Sequence, residues 1–454
     1  MDSSTSDSQQ QNALAKRTVT KVSLRILPFI TVLYILNFLD RVNISYARLG
    51  METEMALTAA TFGLAAAIFF IGYFFFEVPS NMMLRIVGAR KWIARIVFSW
   101  GIVIVATGFV NSIPMLYGAR ILLGIAEAGF FPGMLLYLTF WFRSQDRARA
   151  VAFFTLAQPI AYIVGAVTAG FILEYVDWFG LSSWRWIFIL QGAPAIVMGV
   201  VTYFYLPDGP KNARWLTHQE RSWLEGELTK EQGPPVDESP RAQLRALRNP
   251  RVLHLAAIYL TATAGLFGFN FFLPSIVKQL DPSYSATNIG FVAAIPYIVG
   301  AIAMLIIARH SDKTGERKYH VAAVLALSTV ALGGAIAFRH DPMIAMICLS
   351  IFAIGGFGYI APFWALVSKN IPAQHAAVGI AVVNSVGNLG GFIGPYLVGK
   401  SASPTNVGAT LYVPIVSFAL CIIILLCFRT PRTTNDPKST NGTQAVADVP
   451  VRHP

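Results

Sequence analysis

Gly88-Ala-Arg90-Lys91 follows the second long apolar stretch of this chain, and Gly315-Glu-Arg317-Lys318 follows the eighth, 227 residues later. Two further pairs of identical residues keep nearly the same offset: Pro132 with Pro362, and Gly170 with Gly399. A repeat that takes up half of a 454-residue chain indicates two halves with one plan and the same orientation.

The composition places both halves in a lipid bilayer. Hydrophobic residues make up 55% of the chain and charged residues only 13%, and the mean hydropathy is +0.56, which is too apolar for a soluble protein. The expected fold class is an all-α membrane protein with twelve transmembrane helices in two pseudo-symmetric six-helix bundles, the substrate site lying between them. Because a spanning helix needs about 20 residues, hydropathy predicts these spans: 23–46, 59–84, 92–110, 115–140, 148–175, 185–206, 252–277, 288–308, 320–338, 343–367, 376–399 and 410–428.

The net charge of +12 is explained by topology. Of the 35 Lys and Arg residues, 28 lie in the two tails and in the loops after spans 2, 4, 6, 8 and 10, five lie on the opposite side and two lie within spans. By the positive-inside rule both termini are cytoplasmic. The basic composition therefore implies no nucleic-acid partner.

A hydrophilic segment divides the spans six and six. It contains Thr217-His-Gln-Glu220, which predicts a capping box at the start of a short surface helix. The expected organisation has five parts: a cytoplasmic tail at 1–22, an N-terminal six-helix bundle at 23–206, a cytoplasmic linker at 207–251, a C-terminal six-helix bundle at 252–428, and a disordered cytoplasmic tail at 429–454.

The first span carries two charges into the membrane. The apolar stretch from Ile26 to Leu39 is too short to cross a bilayer, so the span must continue to about Tyr46 and include Asp40 and Arg41. Ionisable residues inside a membrane are costly and mark substrate or proton pathways. This span therefore indicates a transporter.

Span 4 adds a second charged pair. Arg120 and Glu127 are seven residues apart, about two helical turns, so they share one helix face. The rise per residue places Asp40, Arg41 and Arg120 at similar depths and Glu127 deeper. Together the four residues form a nominally neutral cluster.

This cluster suggests how protons and a substrate anion could be coupled. Burial favours the neutral form of a carboxyl group unless a cation lies beside it, whereas arginine stays charged. Asp40 and Glu127 are therefore expected to carry protons, and an anion that takes a guanidinium from a carboxylate would link proton uptake to substrate binding. The alternative is a set of static ion pairs, in which Arg120 holds span 4 to backbone carbonyls. Glu77 and Glu174, near span ends, are assigned interfacial or latch roles.

The second half lacks these charges. At the repeat offset, the positions matching Asp40, Arg120 and Glu127 hold Gly268, Ser350 and Phe357. We therefore expect the C-terminal half to contribute shape and neutral hydrogen bonds, although each neutral residue alone is more typical of helix packing. The candidates are Asn270, Trp364, Asn384 and Asn388 there, with Tyr73 and Gln158 from the N-terminal half.

The two repeated basic loops are expected to latch the cytoplasmic side. A glycine permits a tight turn, and nearby charges can pair with helix ends. The first copy has Arg85 where the second has Asp312, so the two are not expected to pair identically. The residues assigned to this role are Arg85, Gly88, Arg90, Asp312, Gly315 and Arg317.

The sequence gives no sign of catalytic, metal or cofactor chemistry. The stretch from Gly394 to Ser401 fits the phosphate-binding loop pattern in letters, but it ends an apolar helix instead of following a strand. Zinc-ligand spacing, a nucleophile elbow and a dinucleotide fingerprint in a suitable context are also missing from the sequence. We therefore expect no enzyme activity, no cofactor and no metal.

Four strings together resemble the anion:cation symporter family of the major facilitator superfamily. Within that family the chain is most similar to the bacterial tartrate, phthalate and 4-hydroxyphenylacetate permeases, over about residues 20–430. The strings are Leu39-Asp40-Arg41-Val-Asn43-Ile-Ser45, Phe76-Glu77-Val-Pro79-Ser80-Asn81, Gly88-Ala-Arg90-Lys91-Trp92-Ile-Ala-Arg95 and Gly124-Ile-Ala-Glu127-Ala-Gly129-Phe-Phe-Pro132-Gly133.

The resemblance implies proton-driven uptake of a small organic anion across the bacterial inner membrane, and we expect a monomer. It matches Asp40 and Glu127 to proton-coupling carboxylates, Arg120 to the partner of Glu127, and Arg41 to the ligand of the substrate carboxylate. Ala361 stands where carriers of sugar acids tend to have serine, which favours a short dicarboxylate or an aromatic acid. The matched substrate-contacting positions are Tyr73, Gln158, Trp364 and Asn384.

Two other functions remain open at this point. An antiporter or exporter could share the fold, but family antiporters tend to have Gly-Pro-x-x-Gly-Gly in span 5, where this chain has Gln158-Pro159-Ile-Ala-Tyr162. A non-transporting sensor usually needs a sizeable soluble output domain, and the longest soluble segment here is the linker.

Overall fold

The structure is a computed structural model that describes residues 2–231, 248–371, 376–403 and 406–428. Within those residues the chain forms helices joined by short connections, with one isolated β-bridge between Ser403 and Asn406. The helices, numbered along the chain, are α1 (Asp2–Glu54), α2 (Ala59–Val87), α3 (Ala89–Thr107), α4 (Ile113–Glu127), α5 (Phe130–Thr139), α6 (Ser144–Thr155), α7 (Ala157–Tyr175), α8 (Ser183–Tyr205), α9 (His218–Lys230), α10 (Pro250–Leu280), α11 (Ala286–Thr314), α12 (Lys318–Ala337), α13 (Pro342–Gly358), α14 (Ile360–Asn370), α15 (Ala376–Asn388), α16 (Gly390–Ser401) and α17 (Val407–Cys427).

Eleven described segments are long and apolar enough to cross a membrane, when the two pieces of each interrupted helix are counted together. The remaining expected span corresponds to α3, whose first two turns contain Arg90, Lys91 and Arg95 and so shorten its apolar part. This helix still packs inside the N-terminal half, with Trp100 fully buried and Gly101 against the backbone of α8. The predicted all-α membrane fold is confirmed.

Three of the four interrupted helices break one turn before a proline. Proline cannot donate to the carbonyl four residues earlier, and its ring clashes with that carbonyl. Pro132, Pro159 and Pro362 accordingly follow the ends of α4, α6 and α13, at Glu127, Thr155 and Gly358. The breaks in spans 4 and 10 occupy matching places in the two halves, and the first of them leaves Glu127 at a helix end.

Helix α1 continues through the segment predicted as the N-terminal tail. Residues 9–17 of this segment are mostly Gln, Ala, Leu, Lys and Arg, which have high helix propensity. Glu220 of α9 anchors this extension, because its carboxylate lies 2.8 Å from Lys21 Nζ and 3.3 Å from Arg17 Nε. The predicted capping box is confirmed, since Thr217 and Glu220 each accept a hydrogen bond from the other's backbone N–H. The predicted disordered tail at 429–454 lies outside the described residues.

We expect the Glu220→Gln variant to loosen the attachment of α9 to α1. Burial opposes ionisation of Glu220, but hydrogen bonds from Lys21 and Thr217 and the charge of Lys21 together hold its pKa below the ordinary value of 4.5. A lowered pKa stabilises the attachment above that ordinary value, and the contribution is lost as the pH falls through the folded value. Limited trypsin digestion at neutral pH should therefore cut the variant faster after Arg221.

Glu225→Gln is the matched control on the same helix, because among the described residues Oε1 of Glu225 has no hydrogen-bond partner. Equal cleavage of both variants and the wild-type protein would show that the ion pairs of Glu220 do not hold the linker helix in place.

The two halves meet backbone to backbone on the side away from α9, which we call the far side; the side that carries α9 is the tail side. A Cβ added to Gly63 of α2 would collide with the backbone of α16 at Gly399, and one added to Gly170 of α7 would collide with the backbone of α11 near Gly290. Gly63 and Gly290 are themselves 227 residues apart, and so the two contacts are repeat equivalents. Glycine permits such close approach between membrane helices.

Candidate functional site

A buried ion pair joins α1 to the end of α4. Oε2 of Glu127 accepts hydrogen bonds from Arg41 Nε at 3.0 Å and from Asn37 Nδ2 at 2.8 Å. The Glu127 side chain is fully buried and that of Arg41 is 10% exposed. Removing one partner of such a pair is strongly destabilising, because the other charge is left buried and unpaired.

Arg41 forms the hydrogen-bonded ion pair with Glu127, whereas Arg120, the partner that the family resemblance implied, interacts with Glu127 only electrostatically. Arg120 lies two turns from Glu127 on the same helix, about 10 Å along its axis, whereas Arg41 reaches Glu127 from the neighbouring helix. Arg120 Nε donates to the carbonyl oxygen of Ala65 at 3.2 Å, and its guanidinium lies 5.1 Å from the centre of the Phe69 ring. The contact with a backbone carbonyl is the one expected if Arg120 fixes helix packing.

Asp40 lies in the same region but outside this pair. Its side chain is fully buried, and among the described residues neither carboxylate oxygen makes a well-formed hydrogen bond. It lies close enough to Glu127 and Arg120 for electrostatic interaction, and beside the Trp100 indole. Because consecutive helical residues point about 100° apart, Asp40 and Arg41 face different neighbours.

Aromatic rings surround the guanidinium of Arg41. Its Cζ lies 5.2 Å from the centres of the Phe38 and Phe69 rings and 5.1 Å from that of Tyr73. Arg41 donates to Glu127 through Nε. Its two terminal nitrogens do not take part in this hydrogen bond. A guanidinium edge next to ring faces can bind a planar carboxylate through two parallel hydrogen bonds.

Three tyrosines that were not predicted from the sequence lie between the neutral candidate residues and Arg41. They are Tyr162, Tyr297 and Tyr259. Tyr162 stacks on Tyr297 with ring centres 4.7 Å apart and lies beside Gln158 and Asn270. Within the described part of the chain, neither side-chain amide atom of Asn270 makes a well-formed hydrogen bond. Helical spacing could have suggested Tyr162, which comes one turn after Gln158.

The other missed aromatic contact lies on α10. The ring of Tyr259 is 5.1 Å from that of Trp364, and Tyr259 interacts electrostatically with Arg41. The structure therefore connects Trp364 to the guanidinium through one ring. Asn388, the last residue of α15, is half-buried.

Two further carboxylates connect the halves of the molecule. Glu77 of α2 is buried and accepts hydrogen bonds from Asn384 Nδ2 at 3.0 Å and from Ser385 Oγ at 2.9 Å, both on α15. On the far side, Glu174 of α7 accepts from the backbone N–H of Thr287 at 2.8 Å, in the first turn of α11. A carboxylate is favourable at a helix N-terminus.

In the described part of the chain, Arg90 of the first basic loop and Arg317 and Lys318 of the second contact residues of their own halves. In the first, the backbone N–H of Arg90 donates to Asp208 at 2.9 Å, just beyond the end of α8. In the second, Arg317 pairs with Asp312 at 2.7 Å, and Lys318 donates to the carbonyl oxygen of Phe428 at the end of α17. Each loop thus holds the last helix of its half, and a latch between halves stays a prediction.

Comparison with known proteins identifies the class of molecule to which this arrangement belongs. The family model described as Major Facilitator Superfamily matches residues 30–395. This chain belongs to the major facilitator superfamily. It is accordingly a multi-pass membrane transporter with a small-molecule substrate, and not an enzyme.

Relatives and solved structures are similar over most of the chain. A protein of Agrobacterium vitis named "Putative tartrate transporter" is 41% identical, covering 92% of this chain and 96% of the relative. A protein of Acinetobacter baumannii named "Quinolone resistance transporter" is 38% identical, covering 87% and 91%. The inward-facing crystal structure of a bacterial homologue of the human lysosomal transporter Spinster has a TM-score of 0.71 at 16% identity, covering 89% and 95%, which shows a shared fold.

Proposed function

We propose that this transporter takes up a small organic carboxylate anion together with protons, across the bacterial inner membrane and by alternating access. In this proposal both termini are cytoplasmic, so the tail side faces the cytoplasm, and the protein acts as a monomer. The observation that carries the proposal is the buried ion pair between Arg41 and Glu127.

The ion pair supplies a physical route to coupling. A substrate carboxylate that binds Arg41 competes with Glu127 for the guanidinium. Glu127 is fully buried, and without its cation the ionised form is costly, so it takes up a proton. Asp40, which is buried and makes no well-formed hydrogen bond among the described residues, is the second proton carrier. Arg120 interacts electrostatically with both carboxylates, and its positive charge offsets part of their negative charge.

The residues around Arg41 favour a compact acid. We assign the substrate carboxylate to Arg41 and the rest of the substrate to Tyr73, Gln158, Trp364 and Asn384, a set with two rings and two side-chain amides. The name of the Agrobacterium vitis relative supports a tartrate-like dicarboxylate. Aromatic acids such as phthalate or hydroxyphenylacetate also fit this set, and a sugar acid fits it less well.

Export is the second candidate, and the Acinetobacter baumannii relative favours it by its name. An exporter would exchange an aromatic carboxylate for protons on the same fold. The two functions differ in the direction of proton movement, and this gives a direct test.

The test uses purified protein in proteoliposomes that contain a pH-sensitive dye. Adding tartrate, phthalate, hydroxyphenylacetate or a hexonate outside should acidify the lumen if protons enter with the anion, and make it alkaline if they leave in exchange. Labelled substrate should also accumulate above its outside concentration only under an inward proton gradient. Exchange that ignores the gradient for every transported anion would contradict symport.

A further inference from the structure

Glu77 lies in a different setting from the other buried carboxylates. The protein contacts of Asp40 and Glu127 described above come from the N-terminal half, whereas both hydrogen bonds to Glu77 come from α15 in the C-terminal half. Glu77 is 4% exposed and Asn384 is 8% exposed, so this contact is closed to water. Glu77 is therefore a carboxylate held between the two halves.

The side chains that donate hydrogen bonds to the Glu77 carboxylate are both neutral. Asn384 contributes an amide N–H and Ser385 a hydroxyl, and no ion pair to Glu77 occurs among the described residues. The charged and titratable groups that act on it are Arg41 on α1, Tyr73 on α2 itself and Tyr259 on α10. Burying an ionised carboxylate is costly, and two neutral donors replace only part of its hydration shell.

The position of Glu77 also connects it to the proposed substrate. Asn384, which donates to Glu77, is one of the residues assigned to the substrate, and Tyr73 lies one turn before Glu77. An anion at Arg41 and Asn384 would compete with the Glu77 carboxylate for the same amide and would repel it. Neutralising Glu77 removes that repulsion.

We propose that Glu77 is a third proton-binding site, which binds a proton when the tail side closes and releases it when that side opens to water. The proposal rests on the proposed function, since it adds a proton to the same anion uptake. Closing the tail side transfers Glu77 from water into contact with Asn384 and Ser385. Burial of the protonated carboxyl group costs less free energy than burial of the ionised one. Opening restores its hydration, and the proton leaves on the side to which the substrate is released.

The test measures the separation of the two halves as the pH changes, without substrate. Nitroxide labels at Ile86 on α2 and Ser368 on α14, both exposed, report this distance by electron paramagnetic resonance after Cys348, Cys421 and Cys427 are replaced by alanine. In the protein with Glu77 intact, we expect the distance between the two labels to increase as the pH rises. Glu77→Gln, which keeps the shape and loses the charge, should stay at the short, low-pH distance throughout.

Two further variants complete the experiment. Glu174→Gln removes the carboxylate that joins the halves on the far side and should retain the pH response. Ser385→Ala removes a bond made only in the closed state, so it should lengthen the high-pH distance even if Glu77→Gln fails to insert. An unchanged response in Glu77→Gln, no response in the wild-type protein, or a response of opposite sign would each overturn the proposal.

Uptake by the same preparations separates this proposal from the proposed function. If wild-type tartrate uptake ignores the proton gradient, symport is contradicted whatever the label distances show. If uptake by Glu77→Gln keeps the wild-type dependence on the gradient and the label distances still follow the pH, symport stands and the role of Glu77 is wrong.

Discussion

The Arg41→Ala variant is expected to lose both gradient-driven uptake and counterflow of tartrate, with kcat/KM falling at least ~100-fold. Arg41 donates to Glu127 through Nε, and its two terminal nitrogens do not take part in that hydrogen bond. A charge-assisted hydrogen bond contributes about 1.5–3 kcal/mol, and a carboxylate bound through two of them loses roughly two or more orders of magnitude in affinity without them. Both transport modes need substrate binding, so both should fail, as initial rates in proteoliposomes would show.

This variant also leaves Glu127 buried without its cation, which costs about 3–5 kcal/mol and could lower the amount of folded protein. The double variant Arg41→Ala with Glu127→Gln removes the unpaired charge and should restore the amount of inserted protein without restoring transport. Arg41→Lys keeps the charge but not the planar fork, so it should raise KM more than it lowers kcat. Normal counterflow by Arg41→Ala would show that Arg41 does not bind the anion.

The helices of the membrane fold were predictable because their signals are local. Apolar length predicts spans, and the repeated Gly-x-Arg-Lys loops predict two similar halves. Three of the four helix breaks lie one turn before Pro132, Pro159 and Pro362. Proline alone does not decide a break, because other prolines, Pro28 and Pro194 among them, lie inside unbroken helices. The extension of α1 was missed, since hydropathy finds the membrane-embedded part of a helix and not its polar continuation.

The pairing of the charges was only partly predictable. Helical depth placed Asp40 and Arg41 level with Arg120 and Glu127 deeper, and it could not decide which arginine reaches the carboxylate. That depends on how α1 packs against α4, which is a tertiary property. The same limit explains Glu77, whose partners Asn384 and Ser385 are more than 300 residues away and carry no charge to signal the contact.

The Glu127→Gln variant is expected to lose accumulation against a gradient while keeping counterflow. Glutamine retains an oxygen that can accept from Asn37 Nδ2 and Arg41 Nε, so the substrate site should keep its shape. It cannot bind and release a proton, so a proton gradient no longer drives uptake and substrate only equilibrates across the membrane. Labelled tartrate is measured in proteoliposomes with an inward proton gradient and, separately, with excess unlabelled tartrate inside.

Asn37→Ala and Asp40→Asn are the companion variants. Asn37→Ala removes a neutral donor to the same oxygen of Glu127 and should slow uptake while leaving it gradient-driven. Asp40→Asn tests the other carboxylate of the cluster, which makes no well-formed hydrogen bond to the described residues. If Glu127→Gln accumulates tartrate as the wild-type protein does and Asp40→Asn does not, then Asp40 carries the obligatory proton, and the pair between Arg41 and Glu127 serves to position the arginine for the anion.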